Sequence, residues 1–152
     1  MNQLEIKTFG YEEQLESIQN IRIEVFQTEQ GVAPELEFDG LDAIATHLLA
    51  YLDDLPVGTT RIREIDKDTV KIERLAVLPT FRNRGIAKQL MSTALEIIAS
   101  QGDRLVVVHA QEYIKKLYQQ LGFEQVGAKF EEAGISHVKM IKQLQQVYRE
   151  VR

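Results

Sequence analysis

The stretch Leu75-Ala76-Val77-Leu78-Pro79-Thr80-Phe81-Arg82-Asn83-Arg84-Gly85-Ile86-Ala87 constrains this chain more than any other. It begins apolar, as the end of a buried strand does. Pro79 turns it, a basic segment follows, and a helix opens near Gly85. From there Ile86, Leu90, Ala94 and Ile98 recur at helical spacing, flanked by Ala87, Met91, Leu95 and Ile97, until Gly102 offers a C-terminal cap. The first N–H groups of a helix have no intrahelical partner and lie at the positive end of its dipole, so they bind anions. Gly85 and Ala87 carry no bulk that would keep a phosphate off those amides, and Arg82, Arg84 and Lys88 surround them with positive charge. The alternative is a solvated helix start. Basic residues are mildly unfavourable there without an anion, so the bound phosphate is the better reading.

The basic triplet is local, because the chain as a whole carries a formal charge of −5. A broad nucleic-acid surface is therefore not expected. The 152 residues contain no cysteine, which excludes disulfides, thiolate zinc sites and a cysteine acyl-enzyme. No G-x-S-x-G nucleophile elbow occurs, and no close histidine pair suggests a metal. The phosphate segment is neither a Walker loop nor a G-x-G-x-x-G fingerprint. At 44% hydrophobic residues, one domain spanning 1–152 can bury a proper core. Met1 to Lys7 lack the basic-then-apolar order of a signal peptide, and no apolar run approaches the roughly 18 residues of a membrane span. A cytoplasmic protein with no membrane partner is expected.

Read in order, residues 3–9 alternate as a first strand, and Tyr11 to about Phe26 place Leu15, Ile18, Ile21, Val25 and Phe26 at helical spacing, with Ile23 out of phase. Thr28 to Pro34 read as a loop, with a short helical turn from Glu35. Residues 45–52 and 57–65 form a hairpin around Asp53 to Pro56, and Thr69 to Leu78 follow as a strand. The alternation of Val70 and Ile72 breaks at Arg74, which predicts a bulge or a fully buried end. Leu105 to Val108 fit a buried strand in parallel pairing. Gln111 to Leu121 read as a helix capped by Gly122, then Phe123–Phe130 and Ile135–Ile141 as strands, with a helical tail over 143–152. The order β-α-β-β-β-α-β-α-β-β gives an α/β fold, a mixed sheet with helices on its faces.

Arg82-Asn83-Arg84-Gly85-Ile86-Ala87 resembles the [QR]-x-x-G-x-[GA] pyrophosphate motif of the GNAT N-acetyltransferase superfamily, and the element order is also that superfamily's. Gln111-x-x-Ile114-x-x-Leu117-Tyr118-x-x-Leu121-Gly122-Phe123 is similar to a second GNAT segment, with Gln111 where asparagine is usual and Ile114 where alanine is. Val25 to Gln30, Glu37 to Asp42, Ala45 to His47 and Ala133 to Val138 resemble its YjcF/ElaA-like branch. The resemblance implies an acyl-CoA fold splayed between the fourth and fifth strands, with acetyl-CoA as cosubstrate and no metal. It implies that the helix start Arg82–Lys88 takes the phosphates, that the backbone of Leu75, Ala76 and Val77 pairs with the pantetheine arm, and that Gln111 helps hold that arm. The acceptor would be a primary amine, on a small molecule or a lysine side chain. Transfer would be direct, since no cysteine exists to carry the acetyl group. A noncatalytic acyl-CoA sensor is the alternative, and the oligomeric state, a homodimer among the options, is not legible.

In the superfamily the general acid stands at Tyr118, whose pKa of about 10 exceeds that of a thiol, so it can donate to the departing sulfur. Otherwise it is an apolar helix-face residue whose hydroxyl reaches solvent. Freeing an amine at neutral pH costs about 4–5 kcal/mol, so a base is expected. Glu73 is the first candidate; without a bulge it would share a face with Leu75 and Val77. It is equally an ordinary strand carboxylate. His137 is the second candidate base, and His109, at the end of the buried strand, a substrate-binding one; His47 is the remaining imidazole. Any of them is alternatively structural. Glu29, Glu37, Asp39 and Asp42 form an acidic cluster that the resemblance places beside the acceptor pocket, where it would attract a cationic amine. A solvated loop explains it as well.

Overall fold

The computed structural model describes residues 3–102 and 104–145. Seven strands form one mixed sheet: β1 (Leu4–Gly10), β2 (Thr46–Leu52), β3 (Leu55–Glu64), β4 (Thr69–Val77), β5 (Arg104–Gln111), β6 (Glu124–Glu132) and β7 (Ile135–Leu144), in the spatial order β1-β2-β3-β4-β5-β7-β6. Its helices are α1 (Leu15–Arg22), α2 (Pro34–Glu37), α3 (Ile86–Ala99) and α4 (Lys115–Gln120). The mixed α/β order expected from the sequence is the one found. Two readings are corrected. Gln111 ends β5 rather than opening a helix, and Gln143 and Leu144 finish β7. The rest of the expected tail, 146–152, lies outside the described residues.

Each face of the sheet carries its own core. Val70, Ile72, Val77, Val106 and Val108 pack beneath the apolar stripe of α3, from Ile86 through Leu90, Met91 and Ala94 to Ile98. On the other face Ile18, Ile21, Val25 and Phe26 cover Leu49 and Ala76. The chain beyond α1 continues as a π-helix over Ile23–Glu29, where the sequence pattern loses its phase at Ile23. The β2–β3 hairpin turns on Asp53 and Asp54 alone, both in the left-handed region (φ 49° and 69°), so Leu55 and Pro56 already belong to the strand.

The break read at Arg74 is a bulge. Thr59 pairs with Ala76 but Arg61 with Glu73, so β4 carries one extra residue, and Arg74 takes a φ of 57°. The Thr60 hydroxyl donates to the Glu73 carbonyl there, 3.0 Å away. The bulge turns Glu73 to the face of Ala76, away from Leu75 and Val77. Beside it, β4 and β5 are parallel neighbours only from Thr69–Leu105 to Lys71–Val107; β5 then stays with β7 to its end. The two strands splay beyond Lys71.

Candidate active site

A cavity of about 660 Å³ fills the splay, lined from the α3 face by residues such as Ile86 and Tyr118 and from the opposite face by Val25 and His109. Leu75, Ala76 and Val77 line it from the part of β4 that has a β3 partner and no β5 partner. A half-paired strand edge is where an extended, amide-bearing arm can add itself.

At the mouth of the cavity α3 begins. Gly85, its N-cap, has φ 77°, and Asn83 before it has φ 63°. Such alternating backbone turns amides toward one point, the geometry of an anion nest. A Cβ built on Gly85 would meet nothing within 4 Å, so the space before the helix is open, and the positive φ is what favours glycine. Lys88 lines the cavity beside Ile86 and Ala87, while the Arg84 guanidinium lies 5.5 Å over the Phe81 ring. Arg82 and Glu29, expected at phosphate and acceptor respectively, form one pair. Arg82 donates through both terminal nitrogens to the Glu29 carboxylate at 2.5 and 2.6 Å and through Nε to the Val77 carbonyl at 3.0 Å. The Arg82 hydrogen bond holds the Glu29 carboxyl below its usual range.

Tyr118 sits on α4 with its ring edge-on to Phe123, 5.8 Å between centroids, and lines the cavity. The side chain is buried, which pushes its hydroxyl pKa up, so it is protonated at neutral pH. Gln111 faces the other way. It exchanges amide hydrogen bonds with Gln30 at 2.9 and 3.4 Å, tying the end of β5 to the loop after the π-helix.

Across the sheet, β5, β6 and β7 bring His109, Glu132 and His137 to one face, around Phe130. His137 Nδ1 is 2.7 Å from the Ile135 carbonyl, which can only accept, so Nδ1 carries the proton and a neutral ring keeps its lone pair on Nε2. That Nε2 lies 3.7 Å from Glu132 Oε2, and His109 Nδ1 lies 3.1 Å from Glu132 Oε1. The His109 hydrogen bond holds the Glu132 carboxyl down. His47 is elsewhere: buried, it meets the Asp42 carbonyl through Nε2 at 2.9 Å and packs on Tyr11, and burial lowers its pKa.

The acidic cluster is spoken for. Glu37 and Asp42 each accept from the buried Arg22 at 2.5 Å, and Asp39 and Asp42 accept from the buried Arg61 at about 3.0 Å. Glu73 accepts from Arg61 and from Arg63 at 2.8 Å, with Lys71 Nζ at 3.3 Å. Burial alone would raise its pKa; the Arg63 hydrogen bond and the charges of Arg61 and Lys71 outweigh that and hold it at about 2. A carboxylate so stabilised takes up a proton poorly. Glu37 and Asp39 do border the cavity, but as partners of arginines rather than as free acids.

Glu132, Arg63, Lys71 and Gln30 are cavity residues that sequence reasoning did not single out. The β6–β7 register shifts between Val126 and Phe130, so the alternation that would have aligned Glu132 with the histidines is broken.

Solved structures share this architecture. Escherichia coli ElaA superposes with a TM-score of 0.82 at 30% identity, covering 92% of this chain and 99% of ElaA. An acyl-CoA N-acyltransferase from Pseudomonas aeruginosa gives 0.82 at 28% identity, over 92% and 99%. Among curated relatives, the uncharacterized N-acetyltransferase YjcF of Bacillus subtilis (strain 168) is 34% identical over 132 residues, 86% of this chain and 94% of YjcF. Residues 8–144 match the family model described as Acetyltransferase (GNAT) domain, and the chain belongs to that family. It is an N-acetyltransferase, with acetyl-CoA as acyl donor.

Proposed function

We propose that this enzyme moves the acetyl group of acetyl-CoA directly onto a primary amine, on a small molecule or a lysine side chain. Acetyl-CoA supplies the activated thioester. The α3 amides from Gly85 onward, with Lys88 and a released Arg82, would hold its diphosphate, and the free edge of Leu75–Val77 its pantetheine arm. Open space before Gly85 and the half-paired β4 edge fit that group.

The observation that carries the reading is that a protonated hydroxyl and an imidazole with a free Nε2 line one cavity at the splay. Tyr118 holds its proton until a thiolate leaves, then gives it up. His137 Nε2 takes the proton of the amine, with the Glu132 carboxylate beside it to stabilise the imidazolium. Glu73, tied to three cations, is replaced in this reading by His137. Gly85→Glu places negative charge where the diphosphate would lie. Calorimetry should then detect no acetyl-CoA binding; wild-type affinity in that variant would refute the site.

A further inference from the structure

The acceptor half of the cavity is lined by cations as well as by the carboxylates the sequence suggests. In the network between β3, β4 and α2 the innermost layer holds both signs: Arg22 and Arg61, with side chains 1% and 0% exposed, are paired there with Glu37, Asp42 and Glu73. Glu37, Glu73 and Asp42 have side chains 1%, 6% and 7% exposed, whereas Lys71, Arg63 and Arg74 are 17%, 19% and 22% exposed and line the cavity. Asp39, 26% exposed, is the exception, and it is clasped by Arg61 and Arg74. Arg63 spends Nε and one terminal nitrogen on Glu73, which leaves its other terminal nitrogen without a hydrogen bond to any described residue. Among the described residues Lys71 has a single ion contact, at 3.3 Å to a carboxylate already taken up by two arginines.

Opposite this cationic wall stand His109, His137 and the half-exposed Glu132. Of that wall Lys71 comes near them: it pairs across β4–β5 with Val107, two residues before His109 on the same face, and its charge also acts on Glu132. One end of the space thus offers a base and a carboxylate, which suit an amine. The other offers an ammonium and guanidinium groups, which suit an anion.

We infer that the acceptor is an amine that also carries a carboxylate, as an amino acid does, with the carboxylate held by Lys71 and Arg63 and the amine presented to His137. This rests on the N-acetyltransferase reading and narrows its substrate class. A bare amine, or a lysine side chain flanked by amides, brings no anion to Lys71 and to the spare terminal nitrogen of Arg63.

Matched acceptor pairs test it: phenylalanine against phenethylamine, lysine against cadaverine and glycine against methylamine, each followed by thiol release from acetyl-CoA. The carboxylated members should show kcat/KM at least about tenfold higher, the value of a hydrogen bond to a charged group. Lys71→Met should collapse that ratio toward unity, and Lys71→Gln, a milder change, should do the same. Equal rates, a preference for the bare amines, or a preference that survives both variants would overturn the assignment. Calorimetry with the free enzyme gives a readout without turnover: N-acetylphenylalanine should bind more tightly than N-acetylphenethylamine. Failure of both to bind, with no turnover of any pair, overturns it too. Absence of acetyl-CoA binding beside a clear preference between the two products would instead count against the cofactor site alone.

Discussion

Tyr118 and His137 are read here as the proton donor and the proton acceptor, and each is prepared for its role by one local feature. For Tyr118 it is burial against Phe123, which keeps the hydroxyl protonated well beyond neutral pH. Tyr118→Phe keeps the ring and removes only the hydroxyl. Single-turnover rates should fall by about a hundredfold with acetyl-CoA affinity retained; an unchanged rate would take Tyr118 out of the mechanism. For His137 the feature is the Ile135 carbonyl, which fixes the tautomer. The residue type was legible in both cases. The tautomer was not, because it depends on a carbonyl whose direction follows from the β6–β7 turn at Ala133 and Gly134, both with positive φ.

At the scale of elements, the π-helix (Ile23–Glu29) and the start of α3 are joined by the Glu29–Arg82 clasp. If Arg82 must leave Glu29 to meet a diphosphate, the carboxylate competes with that ligand. The pair is half-exposed, so it is worth less than about 1 kcal/mol. Glu29→Gln should therefore tighten acetyl-CoA binding by up to about fivefold in calorimetry, and weaker binding would show that Glu29 supports the site rather than competing for it. The strand–turn–helix around Gly85 was plain in the sequence because every residue that builds it is contiguous. The clasp was not, since its two ends are 53 residues apart and meet only once α1 packs on the sheet.

On the scale of the whole molecule, the buried network of Arg22, Arg61, Glu37, Asp42 and Glu73 fastens the segment between α1 and β2 to the sheet. Glu73 has its folded pKa lowered from 4.5 to about 2. The stability it contributes is therefore complete above pH 4.5 and is lost as the pH falls toward 2. Asp39 and Asp42, also lowered, act in the same direction. Urea unfolding followed across that window should show falling stability, with a shallower slope in Glu73→Gln. The same variant should lose about 3 kcal/mol at neutral pH, because the buried Arg61 is deprived of a partner. A pH-independent stability would mean that the network persists in the unfolded chain.

The sequence by itself determined the element order, the glycine-led start of α3, the break in alternation at Arg74 and the family, because all of these are written in local spacing: period 3.6, period 2, and one basic turn between them. Only the tertiary structure decided which charges face the cavity. Without a bulge Glu73 would share a face with Leu75 and Val77; it lies on the other, since a single inserted residue inverts every side chain beyond it. The acidic cluster of Glu37, Asp39 and Asp42 reads as a lure for cations until Arg22 and Arg61 are placed against it. Whether a carboxylate is free or satisfied depends on its neighbours in space, and in this chain those neighbours come from α1 and β3.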